Sequence, residues 1–143
     1  MDARPSAGVP GCVRILSPAL RAEFLLPELT EEQAVGLMQR FVNGTAAGTH
    51  AAEGWPNTAY GTSKVGVNAL TRIHARTVAE ICPNAPGVLV NACCPGWCRT
   101  DMAGDRAPRS AEEGASTSIY LALLPAGSDL HGAFLAEERP IDW

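Results

Sequence analysis

The sequence predicts an α/β chain built on a parallel sheet, and a sheet short of strands. Three observations carry this. Strand-like and helix-like patterns alternate along the chain, as they do where helices cross over between parallel strands. The valine-rich run GVLVNACC (87–94) suits a strand buried inside such a sheet, and Pro95 and Gly96 end it abruptly. Beyond it only GAFLA (132–136) reads as a strand, and a two-stranded sheet is marginal by itself. The pattern is that of part of a domain.

Residues 1–16 are irregular, because Pro5, Gly8, Pro10 and Gly11 break any period. SPALRAEFLL (17–26) predicts a short helix with Ser17 as cap and Pro18 at its first position. TEEQ (30–33) is a capping box, in which Thr30 and Gln33 each satisfy a free backbone N–H. Ala34, Leu37, Met38, Phe41 and Val42 then fall on one helical face, and Asn43 with Gly44 is expected to end the helix. A small-residue loop, GTAAGTHAAEGWPNT (44–58), closes on Trp55-Pro56. A long helix is predicted from Asn57 or Thr58 to Ile81, with Val67, Leu70, Ile73, His74, Val78 and Ile81 at three- and four-residue steps and Pro83 as its stop. A second capping box, Ser110 to Glu113, opens a helix running through Ile119, Tyr120, Leu123 and Leu124 to Pro125.

Composition narrows the function. With 46% hydrophobic and 18% charged residues, the 143-residue chain is globular and of single-domain size. A net charge of −4 with scattered arginines leaves no basic stripe for nucleic acid. MDARPSAGVPGC is not a signal peptide, and no apolar run approaches the roughly 18 residues of a membrane span. Five cysteines form no spaced framework, which favours a reducing compartment, the cytosol by default. His50, His74 and His131 stand far apart and pair with no cysteine at zinc-ligand spacing, so no metal site is expected.

The chemistry concentrates in TAYGTSK (58–64). Lys64 is the only lysine of the chain, and every other basic residue is arginine. Lysine carries a compact point charge where arginine is planar, so the two are not equivalent at a reaction site. Tyr60 and Lys64 are four apart and share a helical face. A cation close to a phenol favours the phenolate, which makes Tyr60 a better proton donor to a carbonyl oxygen gaining charge. The motif alone equally fits a half-buried tyrosine with a solvated lysine one turn on. NACCPGWCRTDM (91–102) is the second feature. A strand ending in Pro-Gly opens a turn at the carboxyl edge of a parallel sheet, where such sheets bind ligands. There Cys98 to Thr100 could hydrogen-bond a carboxamide or phosphate, and Trp97 could wall an apolar pocket. A plain strand-ending turn with a packed tryptophan is the other reading.

Together these residues resemble the short-chain dehydrogenase/reductases: Tyr-x-x-x-Lys on a helix, a strand, then Pro-Gly and a threonine. GLMQRFV, EGWPNTAYGTSKVGV, LTRIHAR, VNACCPGWCRTDMAG, EEGA and YLALLP look like the animal cytosolic carbonyl reductases that use NADPH, in register from Ser17 to Trp143. The resemblance implies a Rossmann-type doubly wound sheet over 17–143, with 1–16 outside the family pattern. It implies Tyr60 as proton donor, with Lys64 easing the release of that proton and holding the nicotinamide ribose. Pro95, Gly96, Cys98, Arg99 and Thr100 would line the nicotinamide end of the NADPH site, and Trp97 the substrate pocket. The substrate would be a small-molecule ketone, aldehyde or quinone. Full-length relatives are implied to be monomers, the stretch corresponding to 18–57 covering the usual dimer helix.

The departures shape the expectation. The family's opening strand and TGxxxGxG turn, which receives the pyrophosphate, are not among these 143 residues. Nor are the residues that select NADPH. Ser6 stands near the place of the family's catalytic serine, but DARPSAGVPG around it is no strand. Two functional readings follow: a carbonyl reductase whose nucleotide-binding half is supplied by further sequence or a partner, or a fragment that is catalytically silent and associates with other chains through its sheet edge. A third, a thiol module built on Cys93, Cys94 and Cys98, is set against the inertness of cysteines buried on a strand.

Overall fold

The structure is a computed structural model that describes residues 12–82, 87–125 and 127–142. Local sequence chemistry sets its helix starts. Helix α1 (Pro18–Phe24) begins where the Ser17 hydroxyl accepts from the Leu20 N–H and Pro18 takes the first position. Helix α2 (Glu31–Ala47) opens on a complete capping box: Gln33 N–H donates to Thr30 Oγ1 at 3.2 Å, and Thr30 N–H to Gln33 Oε1 at 2.9 Å. Helix α3 (Ala59–Ile81) is capped by Thr58, and helix α4 (Ala111–Ala122) by the Ser110–Glu113 box.

Helices α1, α2 and α3 hold the main core. Leu20 and Phe24 of α1, Ala34, Leu37 and Phe41 of α2, and Val65, Ala69 and Ile73 of α3 form one buried cluster with Val13, Leu16, Leu29 and Trp55. Trp55 is its hub. Phe24 meets it edge-on at 6.1 Å, Phe41 lies tilted at 5.4 Å, and the Arg40 guanidinium sits 5.7 Å above the indole. Arg40 also forks onto Glu23 with two 3.0 Å hydrogen bonds, tying α2 to α1.

The sheet is small. Strand β1 (Ala92–Cys94) pairs parallel with β2 (Phe134–Ala136), in the register Ala92↔Phe134 to Cys94↔Ala136, and α4 is the crossover between them. A two-residue hairpin returns β2 antiparallel into β3 (Arg139–Pro140). The order is β1-β2-β3, so β1 keeps one edge without a strand among the described residues. His131 joins sheet to helix: its Nε2 lies 2.8 Å from the Ala75 carbonyl on α3, and its Nδ1 3.2 Å from the Val90 N–H. A carbonyl can only accept and a backbone N–H only donate, so the imidazole carries its single proton on Nε2.

Four expectations need correction. Helix α2 does not end at Asn43-Gly44 but continues to Ala47, with Gly48 as its left-handed cap at φ 72°. Asn43 is held on the helix by Gln39 Nε2 at 2.9 Å, and Gly44 leaves room for the Glu53 carboxylate, 3.0 Å from where a Cβ would stand. The strand expected over 87–94 is three residues long and only half-buried. With one neighbour among the described residues it gains one ladder, and ahead of it a single Gly132 N–H bond to Val90 O at 2.7 Å stands beside the Asn91 side chain, which bonds Leu130 O and Ala133 N–H. The sheet has a third strand, β3, that the sequence hid. Finally, the stretch expected to be irregular over 1–16 contains a single 3₁₀ turn (Val13–Ile15), with Val13 and Leu16 in the core. The expected helix stop at Pro83 lies outside the described residues.

The hairpin explains why β3 was hidden. Its two turn residues, Glu137 (φ 51°) and Glu138 (φ 61°), are both left-handed, and neither is the glycine or asparagine such turns favour. Glu138→Gly should relieve about 1–2 kcal/mol of that strain and lose about 0.5–1 kcal/mol to unfolded-chain freedom. The expected net gain is about 0.5–1 kcal/mol, read as a higher denaturant midpoint, and a lower midpoint would contradict the strain.

Candidate active site

Tyr60 and Lys64 stand one turn apart at the start of α3, and the Lys64 Nζ sits 5.4 Å from the centre of the Tyr60 ring. The structure therefore pairs the two side chains that the sequence singled out. Tyr60 is 54% exposed, and no hydrogen bond to its hydroxyl occurs among the described residues. The same face is ordered from beneath. Buried Thr62 donates its hydroxyl back to Thr58 O at 2.8 Å, and Gly61 lets the helix start close over Ile15.

The second part of the candidate site follows β1. Pro95 and Gly96 turn the chain, and Gly96 has φ 82°, a backbone that suits glycine. Cys98 is buried, with its thiol 3.2 Å from Pro95 O, and its Sγ fills the space a Cβ on Gly114 of α4 would need. Trp97 points outward at 58% exposure and Thr100 is exposed. Arg99 turns its guanidinium onto Ala107 O at 3.0 Å and Pro108 O at 3.2 Å. No hydrogen bond or ring contact joins Tyr60 or Lys64 to residues 95–100 among the described residues. The two parts are each formed, but the cavities described lie elsewhere, along α2 and beneath the α1–α2 connection. Ser6 lies outside the described residues.

Sequence reasoning missed Arg109. Its backbone bridges to Cys98, accepting from Arg99 N–H at 2.9 Å and donating to Trp97 O at 3.4 Å. Its side chain covers Gly96, reaches Pro95 O at 3.5 Å and ion-pairs with Glu137. Arg109 thus fastens the 95–99 turn to the strained hairpin. The signal available was weak: an arginine just ahead of the Ser110 capping box.

Tyr60 and Thr100 are exposed hydroxyl-bearing residues and Lys64 is a half-buried ammonium, the donor types that a ribose and a carboxamide would need. What would grip a pyrophosphate is not among the described residues.

Residues 41–111 match the family profile "short chain dehydrogenase". Over that stretch the chain is similar to the short-chain dehydrogenases, and its fold is a partial Rossmann-like α/β unit. It is 52% identical to "Carbonyl reductase [NADPH] 1" of Homo sapiens over 128 residues, which is 89% of this chain and 46% of that protein. The same-named protein of Bos taurus is 50% identical over 133 residues, 92% of this chain and 46% of the relative. Among solved structures, salutaridine reductase from Papaver somniferum superposes with a TM-score of 0.75 at 27% identity, over 90% of this chain and 42% of that one. The chain spans about half the length of the curated relatives it matches.

Proposed function

We propose that this chain carries the proton-donating and nicotinamide-facing part of an NADPH-dependent carbonyl reductase of the cytosol, acting on small ketones, aldehydes or quinones. The observation that carries this reading is the Lys64 ammonium poised over the Tyr60 ring, 5.4 Å from its centre, at a solvent-open helix start. Bound NADPH would supply the hydride to the carbonyl carbon. The Tyr60 hydroxyl would give its proton to the oxygen, so that one hydride and one proton together yield the alcohol. Lys64 would favour the phenolate left behind and hold the ribose with Tyr60. Pro95, Gly96, Cys98, Arg99 and Thr100 would line the carboxamide side, fastened by Arg109. Trp97 would form a substrate wall. The relatives' names support NADPH as the donor.

Hydride transfer needs reacting atoms held within about 3–3.5 Å, and that positioning provides much of the rate. A glycine turn at a helix N-terminus usually supplies the grip on the cofactor, and it is not among these 143 residues. The 143-residue chain by itself is therefore expected not to oxidise NADPH with menadione. Fused behind the N-terminal half of the bovine relative, it should turn over. In that fusion Trp97→Ala should raise KM for bulky ketones and leave NADPH affinity unchanged. A silent fusion that folds and binds NADPH would sink the proposal, and a change in NADPH affinity alone would move Trp97 to the cofactor side.

A second reading, association without catalysis, is favoured by one feature: β1 ends the sheet with an edge that no described strand covers. Turnover by the fusion together with a monomeric, silent chain would set it aside.

A further inference from the structure

The turn after β1 takes its shape from outside itself. The β1–β2 ladder ends at Cys94↔Ala136, so Pro95 and Glu137 leave the sheet next to each other at its carboxyl edge, where parallel sheets take their ligands. Pro95 has no N–H to donate, and Gly96, at φ 82°, has no side chain to limit it. Arg109 fills the space beside Gly96. Its Nη1 and Cδ lie 3.1 and 3.2 Å from where a Cβ would stand, and Nη1 reaches Pro95 O at 3.5 Å. A free arginine side chain samples many rotamers, and two contacts choose among them here. Its backbone is paired beside Cys98, and its Nη2 ion-pairs with Glu137. Glu137 is itself fixed. It and Glu138 form the left-handed turn of the β2–β3 hairpin, and the Glu138 N–H donates to Thr117 Oγ1 at 3.2 Å. Thr117 lies on α4 and is 2% exposed. A continuous line of contacts thus runs from α4 through Thr117, the hairpin, Glu137 and Arg109 to the Gly96 backbone.

We propose that Glu137 is a positioning residue for the nicotinamide end of NADPH: its carboxylate holds the Arg109 guanidinium beside Gly96, and so sets the Gly96 backbone against the cofactor. This rests on the reductase reading above. Glu137 acts only through Arg109 and is assigned no contact with the cofactor. The pair is part-exposed, at 33% for the Arg109 side chain and 59% for that of Glu137. Such pairs are modest in strength, so the effect on NADPH affinity is about three- to fivefold.

Glu137→Gln removes the charge and keeps the side-chain length at a left-handed position. In the 143-residue chain it should shift the Gly96 and Trp97 amide signals by NMR and leave those of Ala69 and Ile73 on α3 in place. Unmoved Gly96 and Trp97 signals would overturn the proposal with no reference to activity. In the fusion with the bovine N-terminal half, Glu137→Gln and Arg109→Gln should each weaken NADPH binding about three- to fivefold, read by titrating the cofactor's fluorescence. The two together should be no worse than either alone, because both break one contact. Losses that multiply in the double variant would overturn the route through Arg109. A lowered denaturant midpoint with unchanged NADPH affinity would make the pair structural only, and would overturn the positioning role. A wild-type fusion that binds no NADPH fails the reductase reading instead, and the amide signals of the 143-residue chain still decide whether Glu137 sets the turn. Glu137→Gln, at an exposed site, decides the matter even where Arg109→Gln fails to fold.

Discussion

Tyr60→Phe, placed in the fusion with the bovine N-terminal half, is expected to lower kcat for menadione by about 100- to 10,000-fold, the usual worth of a positioned general acid. The change removes one hydroxyl and keeps the ring. Lys64 then still stands over an aromatic face, and the contact at 5.4 Å survives. NADPH affinity should fall little, so the loss belongs to the chemical step. Lys64→Arg should lower activity as well. A planar guanidinium cannot take the place of a compact ammonium beside both phenol and ribose, and α3 leaves no slack, since Val65 and Gly66 next to it are buried against the core and Met38. A Tyr60→Phe fusion with full turnover would end the proton-donor assignment. A fully active Lys64→Arg fusion would make the solitary lysine an accident.

The largest stability effect is expected from Phe24→Ala. Phe24 is 1% exposed and packs edge-on to Trp55 at the hub of the helical core. Truncating a buried phenylalanine costs about 3–5 kcal/mol, against about 5–15 kcal/mol for a whole domain. Most of the helical signal should then be lost at a much lower denaturant concentration. Leu123→Ala is the contrasting change: Leu123 is 76% exposed at the end of α4, and its loss should move stability by less than about 0.5 kcal/mol. Equal effects from the two substitutions would show that the core is not where the helices place it.

What the sequence made legible was local. Ser17, Thr30, Thr58 and Ser110 start helices by hydrogen bonds that span three residues, and all four act as caps. Tyr60 and Lys64 were legible for the same reason, being four apart on one helix. The failures are all tertiary. Gly44 reads as a helix stop until the Glu53 carboxylate is seen to need its missing side chain. Of the apolar positions that periodicity picks out on α3, Ile73 is buried and Leu70 packs against the core, yet Val67 is half exposed and Ile81 more so, while Val65 and Ala69, which the period passes over, are buried. Arg109 fastens the Pro95–Gly96 turn across a loop, a contact that no spacing rule encodes. Strand β1 was overread because a valine-rich run records the neighbours a strand could have, and among the described residues β1 pairs only with β2.

The uneven placement of the core bears on how long such a chain would persist. The cluster joining α1, α2, α3 and Trp55 ends at Ile73, and the described residues after it are built around a three-residue parallel ladder, α4, and the His131 link to α3. Local opening is governed by the least supported region, and degradation that acts on opened chains follows the population of that state. Turnover would then be set by the sheet side, however firmly Phe24 and Trp55 hold the helices. Anything that covers the bare edge of β1 would lengthen the molecule's life, whereas better packing around Trp55 would leave it nearly unchanged.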